Sequence, residues 1–404
     1  MFKNLEKIKF EKYNSFHSTT ENFGRTLPPY FQNYYGLKNK NINKRKDEES
    51  MKKLTIILLV LTMVLSMAAC GAAGSSAKTE AEATELGEYT VRISHGLAEG
   101  HPVHMACVQM KEYVEKESGG KLTVEIYPNS QIGGERESVE AVLNGTCEMA
   151  YTTNGPLTSF APEFMVMDIP FQFDSYEEAW LALDSNVGKT LADTLKNHNL
   201  YLMCWMESGF RHLTTSGDPV TTPEDLQGRK IRTMEAAMHM TNFKALGANP
   251  TPVSWTELYL AMSQKLVDGQ ENPLGNIVDQ KMWEVQANIS LTGHIYDEAP
   301  LVTNYEWFSG LPAEYQLILK DGAAIAQNYS RFMNFLQEEQ YRQLCEDKGM
   351  EIIDLSAEQK EAFREIGQPA VVEAVVAEIG SEFVDWWLKA VDDLKAQELV
   401  DVVA

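Results

Sequence analysis

Apolar and polar positions along this chain follow two periods that take turns. Tyr89 to Ser94 alternates residue by residue, as a half-covered strand does. Val103, Ala106, Met110 and Val114 then keep the spacing of one helix face, which stops at Gly119-Gly120. Leu122, Val124 and Ile126 return to period two, Glu135 to Leu143 reads as a helix, and Met149 to Thr152 as a strand. Ser175 followed by Glu178 is the signature of a capping box and opens a helix carrying Trp180 and Leu183. Tyr201 to Met206 is almost continuously apolar, as expected for a strand covered on both faces. Ala313 to Lys348 holds helical character longer than one small lobe can use. It reads as a helix across the back of two lobes, or as two helices bent near Gly322 or Asn328. Glu351 to Asp354 is a short strand, and Ser356 with Gln359 caps another helix. Phe383, Trp386, Trp387 and Val391 form a packing stripe near the end. Strands alternating with helices predict α/β lobes with helices packed on the sheets. The stretch from about residue 87 to 397 is too long for one small core and suits two lobes.

The segment before it has a different character. Met51-Lys-Lys is a cationic start, Leu54 to Leu65 is apolar and uncharged, and Ser66-Met-Ala-Ala-Cys70-Gly follows. This order describes a secretory signal, with Cys70 placed for lipidation as the new N-terminus. A plain signal peptide and a buried apolar helix are the alternatives. The run is shorter than the roughly 20 residues that span a bilayer. Since a signal acts from an N-terminus, translation is expected to start at Met51, with residues 1–50 a mis-assigned extension. Residues 71–86 are small and polar, a flexible tether with too little apolar content to fold. The expected location is extracytoplasmic, lipid-anchored to the outer face of the cell membrane, or periplasmic.

After Cys70 the chain carries 23 basic and 52 acidic residues, a net charge of −29. This argues against nucleic acid or an anionic membrane surface as a partner. It also means that an anionic ligand needs arginines dedicated to it. Cys107, Cys147, Cys204 and Cys345 lie far apart among apolar residues, without a Cys-x-x-Cys, and read as buried free thiols. His95, His101 and His104 lack carboxylate or cysteine companions at metal-ligand spacing, so no metal or other cofactor is expected. Ser75-Ser-Ala-Lys78 falls in the tether without companion motifs, and the chain has no P-loop, dinucleotide fingerprint or Gly-x-Ser-x-Gly.

Arg232 ends the strand-like run Arg229-Lys-Ile-Arg. A guanidinium there can grip a carboxylate through two parallel hydrogen bonds, or it can form an ordinary surface ion pair. The loops after Tyr89–Ser94 (Ser94, His95, Glu99) and after Met149–Thr152 (Thr153, Asn154) follow the carboxyl ends of strands, where α/β sheets bind ligands.

Several longer stretches carry a resemblance. They are Gly228-Arg-Lys-Ile-Arg232-Thr-Met-Glu235, Ala248-Asn-Pro-Thr-Pro-Val-Ser-Trp255 and Val267-Asp-Gly-Gln-Glu-Asn272-Pro, with Tyr127-Pro-Asn-Ser-Gln-Ile-Gly133 and Asp168-Ile-Pro-Phe171 upstream. From about Glu88 to Lys395 the chain resembles the solute-binding subunits of tripartite ATP-independent periplasmic (TRAP) transporters, the DctP-like family. The resemblance implies a two-lobed periplasmic-binding-protein fold of the Venus flytrap kind, with a long helix spanning both lobes. Lobe one would hold residues 87–208 and 298–337, and lobe two 209–297 and 338–397. It implies that Arg232 forms the salt bridge to a ligand carboxylate. Arg211 would hold a second oxygen pair, Asn272 would assist at the carboxylate, and Trp255 would flank the carbon skeleton. Taken alone, Asn272 also reads as a turn residue before Pro273, and Trp255 as a core residue. Glu235 stands in a ligand-facing place, where an ionised carboxylate would favour the hydroxyls of a sugar acid over a second carboxylate. The implied partners are a small organic carboxylate and the subunits of a membrane permease driven by an ion gradient. Two other functions stay open. One is a tethered enzyme acting on a carboxylated sugar, with Glu99 and Glu235 as its acids. The other is a receptor serving a sensor kinase.

Overall fold

The computed structural model describes residues 87–403, with side chains as far as 396. The expected extension, signal, Cys70 lipidation site and tether lie outside the described residues. One mixed sheet organises the rest. At one end β1 (Tyr89–Ser94) pairs in parallel with β2 (Leu122–Tyr127) and β3 (Met149–Tyr151). At the other, β5 (Lys230–Thr233) pairs in parallel with β6 (Asn249–Pro252) and β7 (Gly269–Asn272). Two long antiparallel strands, β4 (Leu200–Thr215) and β8 (Asn288–Asn304), join the ends. β3 adds to β8 on one side and β7 to β4 on the other, and β9 (Glu351–Asp354) pairs with β8.

The apolar run at Tyr201 marks only the first half of β4. The strand continues through Ser208-Gly-Phe-Arg211 because its register with β8 shifts between Glu207 and Gly209. Gly209 sits at φ +114°, open to glycine and strained for other residues. The residues on either side of this bulge pack into different cores. One core gathers Val91, Val124, Met206 and Leu301. Beyond the bulge, one cluster contains Leu213, Ile231 and Phe243, and another Leu258, Ile277 and Ile289.

Helices cover both lobes: α1 (Pro102–Glu117), α2 (Glu135–Leu143), α3 (Asn154–Leu157), α4 (Tyr176–Asp184), α5 (Asn186–Thr194), α6 (Ala237–Ala245), α7 (Trp255–Ser263), α8 (Leu274–Asp279) and α9 (Tyr305–Gly310). The long apolar stripe is one helix, α10 (Ala313–Asp347), of 35 residues. Its length of about 52 Å at 1.5 Å per residue exceeds a single lobe. Its Ile318, Leu319 and Ala323 belong to the first core and its Cys345 to a second-lobe cluster. Gly322, an expected bend point, is a contact instead. A Cβ there would come within 2.7 Å of the Val114 side chain, so glycine lets α10 lie close on α1.

Two C-terminal helices follow, α11 (Ala357–Ile379) and α12 (Ser381–Val403). Trp387 is fully buried and donates from Nε1 to Gln172 at 2.8 Å, and the Lys395 ammonium lies 3.1 Å from Glu178. α12 therefore packs against α4 and the segment just before it. Cys107, Cys147, Cys204 and Cys345 are buried free thiols.

Candidate functional site

A cleft of about 510 Å³, counting its open mouth, lies between the two lobes. Arg232 stands on its second-lobe wall. β5 is hydrogen-bonded on both edges, so the backbone carrying this side chain is held firmly. The guanidinium is 1% exposed, and Nε donates to the Val253 carbonyl at 2.8 Å. Nη1 has no acceptor among the described residues, and no described carboxylate pairs with Arg232. Burial lowers its pKa to about 10, with Glu271 opposing and Arg211 reinforcing that shift, so it remains charged near neutrality. A buried guanidinium without a directly paired carboxylate is costly unless something else supplies one.

Asn272 ends β7 on the same wall, and its amide is oriented by Gln270 and Asn276. Side chains alternate along a strand, so Gln270 and Asn272 share one side and Glu271 points to the other. Trp255, half-buried at the start of α7, also lines the cleft and donates from Nε1 to the Gly96 carbonyl at 3.3 Å. A Cβ at position 96 would lie 3.2 Å from the indole, so the glycine leaves room for the ring to reach the opposite lobe. Glu235 lines the mouth and is exposed. On the first-lobe wall Thr153 is buried, and its hydroxyl donates to Glu135 at 2.6 Å.

The structure thus brings together Arg232, Asn272, Trp255, Glu235 and Thr153. It does not bring Arg211, His95 or Asn154 into the cleft lining. Arg211 was expected to reach the ligand, but protein carboxylates take its donors. Nε and Nη2 engage Glu271, Nη2 also reaches the Glu271 carbonyl at 2.6 Å, and Nη1 binds Asp297. Burial disfavours its charge, yet the two carboxylates more than offset that and raise its pKa. His95 is turned inward, with Nδ1 accepting from the Leu97 amide and Nε2 3.1 Å from His104. Burial, helped by His104 and His101, lowers its pKa to about 3 and keeps it neutral. Asn154 donates to Asp168 at 2.7 Å and to the Phe164 carbonyl at 3.0 Å. Glu99 is exposed and outside the lining, so the Glu99–Glu235 acid pair is not assembled.

Sequence reasoning missed Glu135, Arg136 and Tyr151 in the lining. Glu135 and Arg136 open α2 immediately after Gly133-Gly134, the loop that follows β2. The rule that points to the loops after β1 and β3 applies equally there.

Behind the cleft, Glu271 is a hub. Besides Arg211, it meets His239 Nδ1 at 3.4 Å and His294 Nε2 at 3.2 Å. His239 Nε2 lies 3.2 Å from first-lobe Asp168, so this ring links carboxylates of both lobes. Burial opposes its charge, but Asp168 and Glu271 overcome that and raise its pKa to about 9. A raised histidine pKa contributes stability that is complete below about pH 6.5 and lost as pH rises through 9. Buried Glu207, pushed up to about 8, acts in the same direction because its ionisation costs stability. The melting temperature is therefore expected to fall between about pH 7 and pH 9.5, and to fall less in His239→Gln. Calorimetry over that range checks this, and a rising melting temperature would contradict it.

Residues 93–377 match the family model described as bacterial extracellular solute-binding protein, family 7, or DctP. The chain belongs to this family of TRAP solute-binding proteins. It is 30% identical over 270 residues to the 2,3-diketo-L-gulonate-binding periplasmic protein of Escherichia coli (strain K12), covering 67% of this chain and 82% of that one. Among solved structures it resembles the sugar acid binding protein of Advenella mimigardefordensis strain DPN7T in complex with galactonate. There the TM-score is 0.73 and the identity 32%, over 77% of this chain and all (100%) of that one. A TRAP periplasmic solute-binding protein of Sulfurospirillum deleyianum DSM 6946 with bound succinate gives a TM-score of 0.71 at 28% identity, covering 76% and 100% of the two chains. The two-lobed α/β fold expected from the sequence is the fold of these proteins.

Proposed function

We infer that this protein is the extracytoplasmic receptor of a TRAP transporter. It captures a small organic carboxylate in the interlobe cleft and delivers it to an ion-gradient-driven permease. The observation that carries this reading is Arg232, buried and charged on the cleft wall with Nη1 lacking any described acceptor. A ligand carboxylate would complete it, with Asn272 beside it and Trp255 against the carbon skeleton. Closure of the first lobe over the bound solute would then shift the population toward the form a permease recognises. In this reading Cys70 tethers the receptor to the membrane, and Arg211 and Glu271 brace the wall that carries Arg232.

Sugar acids are the favoured class, because Glu235 at the mouth would accept from hydroxyls and repel a second carboxylate. The relatives that bind diketogulonate and galactonate point the same way. C4-dicarboxylates come next, since Arg136 also lines the cleft and offers a second positive charge, and one similar structure holds succinate. A thermal-shift screen over a carboxylate library tests the assignment. Sugar acids are expected to raise the melting temperature more than succinate or malate. A shift from dicarboxylates alone would overturn the preference, and no shift from any carboxylate would overturn the receptor reading.

A further inference from the structure

Glu135 is the first residue of α2, on the first-lobe wall of the cleft that holds Arg232 on its other wall. Both of its oxygens are aimed by Thr153: the hydroxyl donates to Oε2 at 2.6 Å and the backbone amide to Oε1 at 3.3 Å. Each carboxylate oxygen has two lone-pair sites, so one bond apiece leaves acceptor capacity for a ligand. Tyr151 lines the same wall, 1% exposed, with its hydroxyl turned toward Ser208. A fixed acceptor with spare capacity is suited to a ligand that carries hydroxyls of its own. The cleft's other carboxylate, Glu235, is exposed, where solvent weakens its influence, whereas Glu135 is half-buried.

We propose that Glu135 selects the solute: ionised, it accepts hydrogen bonds from the hydroxyls of a monocarboxylate held on Arg232 and repels a second carboxylate, and protonated, it admits a dicarboxylate. This rests on the receptor reading above and names the group that divides its two ligand classes. The charged and titratable groups facing Glu135 are Arg232 and Glu235 across the cleft, Arg136 beside it, and Tyr151, Asp297 and Arg211 behind. Burial raises its pKa to about 7, with Asp297 adding to the shift and Thr153 and Arg211 opposing it, so its charge changes in the neutral range. Above that pH the carboxylate is ionised and a dianion is excluded. Below it the carboxylic acid is a donor and the repulsion is gone.

The test is calorimetric titration of the folded protein with D-galactonate and with L-tartrate at about pH 8.5 and about pH 5.5. Both carboxyls of tartrate stay ionised throughout that range, so the ligand does not titrate in place of the protein. Wild type is expected to prefer galactonate at the higher pH, and the preference should shrink by about tenfold or more at the lower, the equivalent of one pKa unit of repulsion. Glu135→Gln should show the smaller preference at both. The wild-type comparison stands whether or not the variant folds. A galactonate-to-tartrate ratio that ignores pH in wild type, or that keeps its full pH dependence in folded Glu135→Gln, overturns the proposal and leaves the receptor reading intact. Binding of no carboxylate at all overturns both.

Discussion

Replacing Arg232 by methionine is expected to weaken solute binding sharply and at the same time to raise the melting temperature of the ligand-free protein. The two effects share one cause. Arg232 is 1% exposed, Nε has an acceptor, Nη1 has none among the described residues, and no described carboxylate lies within ion-pair distance, although Glu271, Glu135 and Glu235 favour its charge from farther away. Burying such a group works against folding, and an apolar side chain of similar length is expected to gain about 1–3 kcal/mol. The ligand carboxylate supplies the missing partner. Its loss should cost at least about 2–5 kcal/mol of binding, roughly thirtyfold to several thousandfold in affinity. Scanning calorimetry reads the first effect and titration calorimetry the second. Unchanged affinity would remove Arg232 from the site. A residue that lowers stability while serving binding is a familiar compromise at functional sites.

Arg211 should behave in the opposite way, although it is just as buried. Its guanidinium neutralises Glu271 and Asp297, which are themselves buried. Arg211→Met removes the guanidinium the two carboxylates share, leaving Glu271 only His239 and His294 and Asp297 no ion pair among the described residues. The expected loss is about 3–5 kcal/mol of stability, and a melting temperature lower by roughly 10 °C. Any change in affinity should follow from the disturbed wall rather than from a lost contact. If Arg211→Met instead melts like wild type and loses binding as Arg232→Met does, Arg211 touches the ligand directly, as the sequence resemblance implied. Measuring the two variants side by side separates an arginine that awaits a partner from one that already has two.

That contrast also shows where sequence reading reaches its limit. β1, β2, β3 and the single helix α10 were legible because an apolar period survives without knowledge of neighbours. Arg232, Asn272 and Trp255 line the cleft, and what pointed to them was the family resemblance of the stretches that carry them; taken alone, Asn272 also read as a turn residue and Trp255 as a core residue. The place of Arg211 was not legible, because its partners are 60 and 86 residues away and become visible only once β4 lies between β7 and β8. His95 follows β1 on a loop and Asn154 opens α3 just after β3, but their side chains turn inward to His104 and Asp168. His239 was not singled out, since nothing near it in sequence reveals its two carboxylates. Glu135 was within reach: the loop after β2 obeys the same rule as the loops after β1 and β3.

The central claim is that Arg232 receives the carboxylate of the solute. A crystal structure of the protein with the strongest carboxylate ligand from the thermal-shift screen tests it most directly. The ligand carboxylate is expected within hydrogen-bonding distance of Arg232 Nη1, next to Asn272 and flanked by Trp255, while Arg211 keeps its bonds to Glu271 and Asp297. A carboxylate bound elsewhere in the cleft, with Arg232 paired to a protein carboxylate, would contradict it.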